Sequence, residues 1–297
     1  MQTLTQQLLN DVLNIATQAG EHLKRFYHRS VEIQIKADKT PVTEADLFIS
    51  QFVIEQLQKL TPNVPILSEE SCKIPLSERS QWQEYWIVDP LDGTQQFIDR
   101  TDQFSVVIGL VQQNRPVLGV IHSPILDKTY YAMRASGAFV RENGEIRRLN
   151  SNSQNDDKSH RLQVTIGTSS SDKIRQVVLP PYQVDFLQFG SSSLKAGLVA
   201  EGKADCYVRL GDTGEWDTAV AEVLLAETGG QVFDLHFQPL SYNQRETFVN
   251  PYFIMVANKQ RDWQQIFSFY CFYLLLYFVM KSNNFFTFSR IANESRQ

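Results

Sequence analysis

The sequence predicts an α/β fold of the layered α+β kind, in which helices and sheets stack on one another. Three observations support this fold class. The N-terminal part has amphipathic helical periodicity, short apolar runs bounded by turn residues follow it, and helices and strands then mix without strict alternation. The lack of alternation disfavours a Rossmann or barrel fold, and the chain has no Walker-type or dinucleotide glycine motif.

The N-terminal elements follow from apolar spacing. Apolar residues recur at helical intervals across Leu4–Phe26 and predict an amphipathic first helix. Alternation across Val31–Ile35 predicts a short strand. Thr43, followed three residues later by Asp46, resembles a capping box and predicts the start of a second helix, with Phe48–Leu57 carrying its apolar face.

Further along, apolar runs predict strands and two more helices. The predicted strands are Val64–Leu67, Tyr85–Val88, Phe104–Val111, Val117–His122, Thr129–Ala132, Leu162–Gly167 and Ala204–Val208. Helices are predicted at Ser192–Glu201 and Trp216–Thr228, and Gly229 and Gly230 suit the end of the second. The polar stretch Ser151–Ser159 predicts a boundary or surface loop.

Charge and composition exclude some partners. The 297 residues carry 33 acidic and 28 basic side chains, a net charge of −5, with no basic tract beside aromatic residues. A protein that binds a nucleic acid polymer normally shows a basic surface, so we do not expect such a partner. A small anionic substrate remains open, because a bound cation can reverse the local sign of an acidic site.

The cysteines and the termini indicate a compartment. Cys72, Cys206 and Cys271 are too few and too widely spaced for a disulfide framework or a zinc site, which favours a reducing compartment. Met1–Asn14 lacks the pattern of a secretory signal. The apolar run Phe267–Met280 is too short for an integral membrane span, which needs about 20 residues. We expect a cytoplasmic protein, either free or peripheral at the inner face of the plasma membrane.

The segment Asp89-Pro90-Leu91-Asp92-Gly93-Thr94 carries the first candidate site. It directly follows the apolar run Tyr85–Val88, so that two carboxylates project from the end of a strand. Pro90 and Gly93 suit a tight turn on which both carboxylates can face one pocket. Hard cations such as Mg²⁺ prefer oxygen ligands of this kind, including backbone carbonyls. An ordinary turn is the competing interpretation.

Other acidic residues follow the same logic and have the same alternatives. Glu69 and Glu70 come directly after a predicted strand, where paired glutamates are usually a solvated edge. Asp217 stands at a predicted helix start and can be a simple capping residue, and Asp46 can belong only to a capping box. Spacing alone does not show that these carboxylates converge.

Two motifs carry a resemblance. Asp89–Thr94 together with Trp216-Asp217-Thr218-Ala219 resemble the two signature motifs of the inositol monophosphatase superfamily, and the similarity runs through Pro251. Within that superfamily, the CysQ-type 3′(2′),5′-bisphosphate nucleotidases are the most similar. The segments that indicate them are Gly190–Lys195, Val199–Asp205 and Glu246–Pro251. The resemblance implies a sugar-phosphatase-like fold of alternating αβαβα layers. Gln95 and Gln96 depart from the usual Lys-Glu of this group, and the serine run is one residue longer.

The resemblance also implies a magnesium site and a catalytic pair. Two or three Mg²⁺ ions are implied, with ligands from Glu69, Asp89, the carbonyl of Leu91, Asp92 and Asp217. One ion would share Glu69, Asp89 and Leu91, and a second would share Asp89, Asp92 and Asp217. Thr94, hydrogen-bonded to Asp46, would orient and deprotonate the attacking water. Two ions about 4 Å apart can clamp the attacking and leaving oxygens of an in-line displacement.

The implied reaction is hydrolysis of 3′(2′)-phosphoadenosine 5′-phosphate to AMP and phosphate, in sulfur assimilation and nucleotide recycling. The residues implied to bind the substrate are Glu69, Leu91, Asp92, Gly93, Thr94, Ser192, Ser193, Lys195, Arg209 and Asp217. Lys195 and Arg209 would neutralise the second phosphate of the nucleotide. The alternative for Lys195 is a solvated helix lysine, and Arg209 can equally be a surface residue.

The organisation predicted from these signals has three parts. Residues 1–155 form an N-terminal α+β part that binds metal and phosphate, residues 156–267 form a C-terminal α/β part that binds the rest of the substrate, and residues 268–297 form an atypical tail. Competing functions are an inositol monophosphatase or sugar bisphosphatase of the same fold and a non-catalytic nucleotide- or metal-binding protein. The sequence leaves open whether the protein is a monomer or a homodimer.

Overall fold

The computed structural model describes residues 1–37, 39–150, 159–167 and 171–269. None of the helices within these ranges combines the length and the apolar character needed to cross a membrane. The predicted tail lies outside the described residues from position 270 onward, as does most of the apolar run that begins at Phe267.

Two helices and a small hairpin form the N-terminal part. Helix α1 spans Gln6–Tyr27, the paired strands β1 and β2 span Ile33–Ile35 and Pro41–Thr43, and helix α2 spans Glu44–Leu60. Thr43 caps α2 as predicted. Its hydroxyl accepts a hydrogen bond from the backbone N–H of Ala45, while the carboxylate of Asp46 accepts from the N–H of Thr43. This capping box fixes the start of α2 and the position of the Asp46 side chain.

A seven-stranded sheet forms the centre of the N-terminal part. Its strands, which lie side by side in chain order, are β3 (Ile66–Ser68), β4 (Glu84–Asp92), β5 (Ser105–Gln112), β6 (Arg115–Ser123), β7 (Lys128–Met133), β8 (Gly137–Glu142) and β9 (Glu145–Leu149). Strands β3 and β4 are parallel, and the other neighbours are antiparallel. Short helices α3 (Leu76–Arg79) and α4 (Thr94–Ile98) flank β4.

The second part is built on a five-stranded sheet with the order β11-β10-β12-β14-β13. Its elements in chain order are β10 (Arg161–Ile166), α5 (Ser171–Val177), β11 (Gln183–Gln188), α6 (Ser192–Ala200), β12 (Cys206–Arg209), α7 (Glu215–Ala226), β13 (Gln231–Asp234) and β14 (Phe253–Val256). Strand β10 is parallel to β11 and β12, and β14 is antiparallel to its neighbours.

The helices and sheets stack in five layers around three apolar cores. Helices α1 and α2 cover one face of the seven-stranded sheet, where Trp86 and Val88 are buried. Tyr85 and Ile87 point to the opposite face and pack against α6 and α7, which lie between the two sheets. A third core joins the far face of the five-stranded sheet to α5. The αβαβα order implied by the sequence is therefore present.

Close packing of α7 on the central sheet depends on a glycine. A Cβ atom added to Gly119 of β6 would lie 2.5 Å from Cγ1 of Val220, a distance that real side chains do not adopt. The missing side chain lets α7 approach the sheet directly, which brings the N-terminal end of α7 to the end of β4.

The predicted elements are found with shifted ends, and several observed elements were not predicted. Each predicted helix and strand overlaps an observed one, although β3 begins at Ile66 and ends one residue beyond the prediction. Strands β2, β8, β9, β11, β13 and β14 and the short helices α3, α4 and α5 were not predicted. In β9, Glu145–Arg148 are exposed and carry little apolar alternation, so pairing with β8 determines its conformation.

The predicted division at residue 155 is not tested, because residues 151–158 lie outside the described part of the chain. The two sheets do lie on either side of this segment, since β9 ends at Leu149 and β10 begins at Arg161. Helices α6 and α7 of the second half nevertheless pack against the first sheet.

Candidate active site

The end of β4 projects two carboxylates to the same side. On a regular strand, residues three apart point to opposite faces. Between Asp89 and Asp92 the pairing with β5 shifts, because Asp89 lies opposite Val107 and Asp92 lies opposite Ser105. This extra residue is a bulge, and it allows both buried carboxylates to face one cavity.

Gly93 then turns the chain into α4. Its φ angle is +94°, in the left-handed region that favours glycine, and an added Cβ would lie 3.0 Å from the carbonyl oxygen of Gln103. Helix α4 begins at the next residue, Thr94. The chain therefore turns at Gly93, but Asp89 and Asp92 both lie on the bulged strand, so the prediction that a tight turn carries the two carboxylates is wrong.

A third aspartate arrives from α7. Asp217 is the third residue of that helix, and its Oδ2 accepts a 2.7 Å hydrogen bond from the backbone N–H of Gly214. Carboxylate oxygens of Asp89, Asp92 and Asp217 all lie within 4.8 Å of one another. The capping role considered from the sequence is real, and it holds Asp217 beside the other two aspartates.

Glu69 reaches the same cavity from β3. Ser68 pairs with Val88 in the parallel register, so that Glu69 follows β3 beside Asp89. Its Oε1 lies 2.8 Å from Nζ of Lys36, which also contacts Oε1 of Glu70 at 2.6 Å. Burial opposes the charge on Lys36, but Glu69 and Glu70 hold its pKa above the usual value. The predicted ligand Glu69 is thus ion-paired.

The electrostatics of the cluster suit a divalent cation. Burial, followed by repulsion from Glu69, Asp92 and Asp217, raises the pKa of Asp89 well above its usual value. Burial and then the charges of Asp92 and Glu69 raise the pKa of Asp217 to about 8. Crowded carboxylates of this kind either take up protons or bind a cation. With the Leu91 residue also on the cavity wall, the donors are all oxygen, which is the set that Mg²⁺ prefers.

The buried Asp46 and the half-buried Thr94 form a hydrogen-bonded pair beside this cluster. Oδ2 of Asp46 accepts hydrogen bonds from the N–H and the hydroxyl of Thr43, at 2.7 and 2.6 Å. Oδ1 accepts the hydroxyl of Thr94 at 2.9 Å, and that hydroxyl also lies 3.2 Å from the carbonyl oxygen of Leu91. Burial raises the pKa of Asp46, while its hydrogen bonds with Thr43 and Thr94 oppose the rise. The predicted hydrogen bond between Thr94 and Asp46 is present.

The N-terminal end of α6 is bound to Asp92. Its carboxylate accepts hydrogen bonds from the hydroxyls of Ser191 and Ser193 and from the backbone N–H groups of Ser192 and Ser193. Ser192 also lines the cavity, as predicted for a substrate-binding residue. Ser193 is 1% exposed and is not among the described residues that line the cavity. The predicted substrate contact of Ser193 does not fit this geometry, because its hydroxyl is directed at Asp92.

Lys195 is buried, so the solvated-lysine alternative is wrong. It is 2% exposed, and its ammonium donates to the carbonyls of Phe189, Gly190 and Ser191. Burial lowers its pKa to about 8, with the charge of Asp92 opposing the shift. Lys195 still forms part of the cavity wall and lies 5.0 Å from the ring centroid of Tyr207.

Arg209 lies at the same cavity and is half-buried. Its guanidinium donates to the carbonyl oxygens of Gly211 at 3.3 Å and Asp212 at 3.0 Å. Gly93, Thr94 and the other predicted contacts also line the cavity, with Ser193 the exception.

The cavity has a volume of about 520 Å³, and part of its wall had not been predicted. The cavity wall includes four aromatic residues, Phe189, Tyr207, Trp216 and Phe248. Trp216 belongs to the second signature motif, but its position in the sequence does not predict that it lines the cavity. Lys36 is separated from Glu69 by 33 positions, and no local pattern connects them. Ser191 lies within the segment Gly190–Lys195 and lines the cavity, but no role was predicted for it.

Comparisons with known proteins give matches over most of the chain. The model of the inositol monophosphatase family matches residues 5–265. A 3′(2′),5′-bisphosphate nucleotidase CysQ from Haemophilus influenzae is 57% identical over 270 residues, which are 91% of this chain and 100% of that protein. The CysQ nucleotidase of Aggregatibacter actinomycetemcomitans is 54% identical over 90% of this chain and 99% of its own length.

Among solved structures, CysQ from Bacteroides thetaiotaomicron, described as a bacterial member of the inositol monophosphatase family, superposes with a TM-score of 0.73. It is 31% identical, and the match covers 86% of this chain and 98% of that one. The likeness therefore extends over both sheets and the cavity between them.

Proposed function

Because the chain belongs to the inositol monophosphatase family, we propose that it is a phosphatase of 3′(2′),5′-bisphosphate nucleotides, hydrolysing 3′-phosphoadenosine 5′-phosphate to AMP and phosphate. The observation that carries the proposal is the convergence of Asp89, Asp92 and Asp217 beside the hydrogen-bonded pair of Asp46 and Thr94. The identity of 57% to a CysQ nucleotidase over the whole length of that protein supports the substrate class.

The acidic cluster would hold two or three Mg²⁺ ions. Glu69, Asp89 and the carbonyl of Leu91 are the proposed ligands of one, and Asp89, Asp92 and Asp217 those of another. Bound Mg²⁺ supplies charge neutralisation at the phosphoryl oxygens and activation of water. The raised pKa values of Asp89 and Asp217 support the assignment, because a divalent cation removes the repulsion that causes them.

Asp46 and Thr94 would move the proton of the attacking water. Thr94 donates its own hydroxyl proton to Oδ1 of Asp46, which leaves a lone pair on Thr94 free to accept. As water attacks phosphorus, the water proton passes to Thr94 and the threonine proton passes to Asp46. The bond from phosphorus to the ester oxygen breaks at the same time, and this oxygen leaves with the bonding electrons and takes up a proton from solvent water to give AMP. The raised pKa of Asp46 favours it as the final acceptor.

The rest of the cavity would bind the nucleotide. Gly93 and Thr94 lie on the wall next to the proposed metal ligands, and Ser192, Lys195 and Arg209 lie on the wall that α6 and β12 contribute. The guanidinium of Arg209 is suited to bind the second phosphate, and Lys195, whose three protons are directed at carbonyls, would attract it through its charge alone. The aromatic wall is suited to the base. We place the reaction in the cytoplasm, where it would clear a by-product of sulfate activation.

The test is phosphate release from 3′-phosphoadenosine 5′-phosphate and from inositol 1-phosphate, measured side by side with Mg²⁺ and with EDTA. We expect metal-dependent release with a higher kcat/KM for the nucleotide. A preference for the inositol ester would refute the substrate class, and release from neither would refute the phosphatase assignment for these compounds.

A further inference from the structure

The carboxylate of Asp92 is held mainly through one of its oxygens. Oδ2 accepts three hydrogen bonds, from the hydroxyls of Ser191 and Ser193 and from the backbone N–H of Ser193 at 2.7 Å. Among the described residues, Oδ1 accepts a single longer bond of 3.2 Å, from the N–H of Ser192. The two oxygens of Asp92 are therefore unequal in the capacity that remains for a cation.

A second serine contacts the hydroxyl of Ser193 and extends its hydrogen bond to Asp92. Ser105 of β5 is fully buried, and its Oγ lies 2.8 Å from Oγ of Ser193. An ionised carboxylate only accepts hydrogen bonds, so Ser193 must donate its one hydroxyl proton to Asp92. Ser193 can then accept the proton of Ser105. The hydroxyls form a directed chain from Ser105 through Ser193 to Asp92.

This chain joins the two halves of the protein at the cavity. Asp92 and Ser105 lie opposite each other on β4 and β5, and Ser193 lies on α6, 101 positions after Asp92. All three side chains are at most 5% exposed. Hydrogen bonds to a charged group in such a place are stronger than those between neutral groups.

We propose that Ser193 is a positioning residue for the metal ligand Asp92, and not a substrate-binding residue. Its hydroxyl occupies Oδ2 together with the Ser191 hydroxyl and the Ser193 backbone N–H, which leaves Oδ1 with more capacity for the cation. This inference rests on the proposed metal-dependent function. Outer hydrogen bonds of this kind typically change metal affinity by about 10- to 100-fold when removed.

The adjacent Ser192 offers a matched comparison. Its side chain is half-buried on the cavity wall, with Oγ 3.5 Å from the hydroxyl of Tyr207, and only its backbone N–H contacts Asp92. Removing the Ser192 hydroxyl should therefore affect the nucleotide, and removing that of Ser193 should affect the cation.

The experiment measures Mn²⁺ binding without substrate, by electron paramagnetic resonance of free Mn²⁺, for the wild type, Ser193→Ala and Ser192→Ala. We expect Ser193→Ala to weaken binding by about tenfold, and Ser192→Ala to leave binding unchanged while raising KM for 3′-phosphoadenosine 5′-phosphate. Ser105→Ala, which removes the donor to Ser193 and leaves the bond to Asp92, should weaken Mn²⁺ binding by a few fold.

Wild-type Mn²⁺ affinity in Ser193→Ala would overturn the inference. A raised KM for 3′-phosphoadenosine 5′-phosphate together with that unchanged affinity would indicate that Ser193 binds the substrate. Loss of folding in Ser193→Ala would leave Ser105→Ala to decide, and unchanged Mn²⁺ affinity there would overturn the inference. Because binding is measured without substrate, a wrong choice of phosphoester does not affect the result. A wild type that binds no Mn²⁺ would refute the metal-dependent function itself.

Discussion

The hydroxyl of Thr94 donates a 2.9 Å hydrogen bond to Oδ1 of Asp46, a residue 48 positions earlier in the chain. The other oxygen of Asp46 is occupied by Thr43, which fixes the carboxylate at the start of α2. A hydroxyl held in this way has a defined direction, with its proton directed at Asp46 and its lone pairs available to a water.

Removing this proton path should lower kcat. We expect Thr94→Ala and Asp46→Asn each to reduce kcat by about 10²- to 10⁴-fold, the range for general acid–base groups. Because both act in one path, the double variant should lose little more than either single one. Steady-state kinetics at saturating Mg²⁺ measures the effect.

Thr94→Ser is the control, since it keeps the hydroxyl and should retain most of the activity. Multiplicative losses in the double variant, or an active Thr94→Ala, would show that Thr94 and Asp46 do not share a proton path.

Metal-free protein should lose stability as the pH rises. The pKa of Asp217 is about 8 when folded, against a reference value of 3.8, so folding favours its protonated form. This contribution is complete below pH 3.8 and is lost as the pH passes through about 8. In EDTA we expect the Tm to fall between about pH 4 and pH 8 and to level off above that range. Mg²⁺ binds the folded state and should raise the Tm most at the alkaline end.

Asp217→Asn lacks the titrating group and should flatten this part of the EDTA profile. Differential scanning fluorimetry over the pH range gives both curves. Equal Mg²⁺ effects at pH 6 and pH 9 would contradict the account of a cluster that exchanges protons for metal.

Lys36 should compete with a cation for Glu69. Its ammonium lies 2.8 Å from Glu69 and 2.6 Å from Glu70, where it offsets their mutual repulsion. We expect Lys36→Gln to lower the Tm in EDTA and to increase the rise in Tm on adding Mg²⁺, since the cation then relieves more repulsion. Thermal unfolding with and without Mg²⁺ measures the difference.

Lys24→Gln is the matched control, because Lys24 pairs with Glu21 at the same 2.8 Å distance on an exposed helix surface. Exposed pairs contribute at most about 1 kcal/mol. A Mg²⁺ effect in Lys36→Gln no larger than that in Lys24→Gln would contradict the competition.

Lys195→Ala should impair both stability and nucleotide hydrolysis. The ammonium donates to three carbonyls in the loop that precedes Ser192, and losing bonds from a buried charged group costs about 2 kcal/mol. For a domain of this size that corresponds to a Tm fall of several degrees. We also expect kcat/KM for 3′-phosphoadenosine 5′-phosphate to fall more than that for inositol 1-phosphate.

Arg209→Ala provides the comparison, because Arg209 lines the same cavity but is half-buried and bonds only nearby carbonyls. It should affect nucleotide kinetics with a smaller change in Tm. An equal loss for both substrates in Lys195→Ala would indicate that Lys195 supports the loop without recognising the second phosphate.

Local sequence determined the parts of the site that lie within one segment. The apolar run before Asp89 and the glycine at position 93 predict a strand and a turn, and both are present, although the two carboxylates lie on the bulged end of the strand and not on the turn. Thr43 and Asp46 predict a helix start because the capping box closes within three residues. The layered fold could be expected as well, since helices and strands mix along the chain without strict alternation.

Tertiary structure decided which side chains meet across long separations. Asp217 joins Asp89 only because α7 packs closely on Gly119, and Lys36 finds Glu69 across the cavity edge. Ser192 and Ser193 have the same side chain and are adjacent, yet one faces the cavity and the other faces Asp92. Periodicity describes one element at a time, whereas the direction of each serine depends on where α6 lies against β4. Residue types therefore indicated the chemistry of the site, and packing between distant elements assigned the partner of each group.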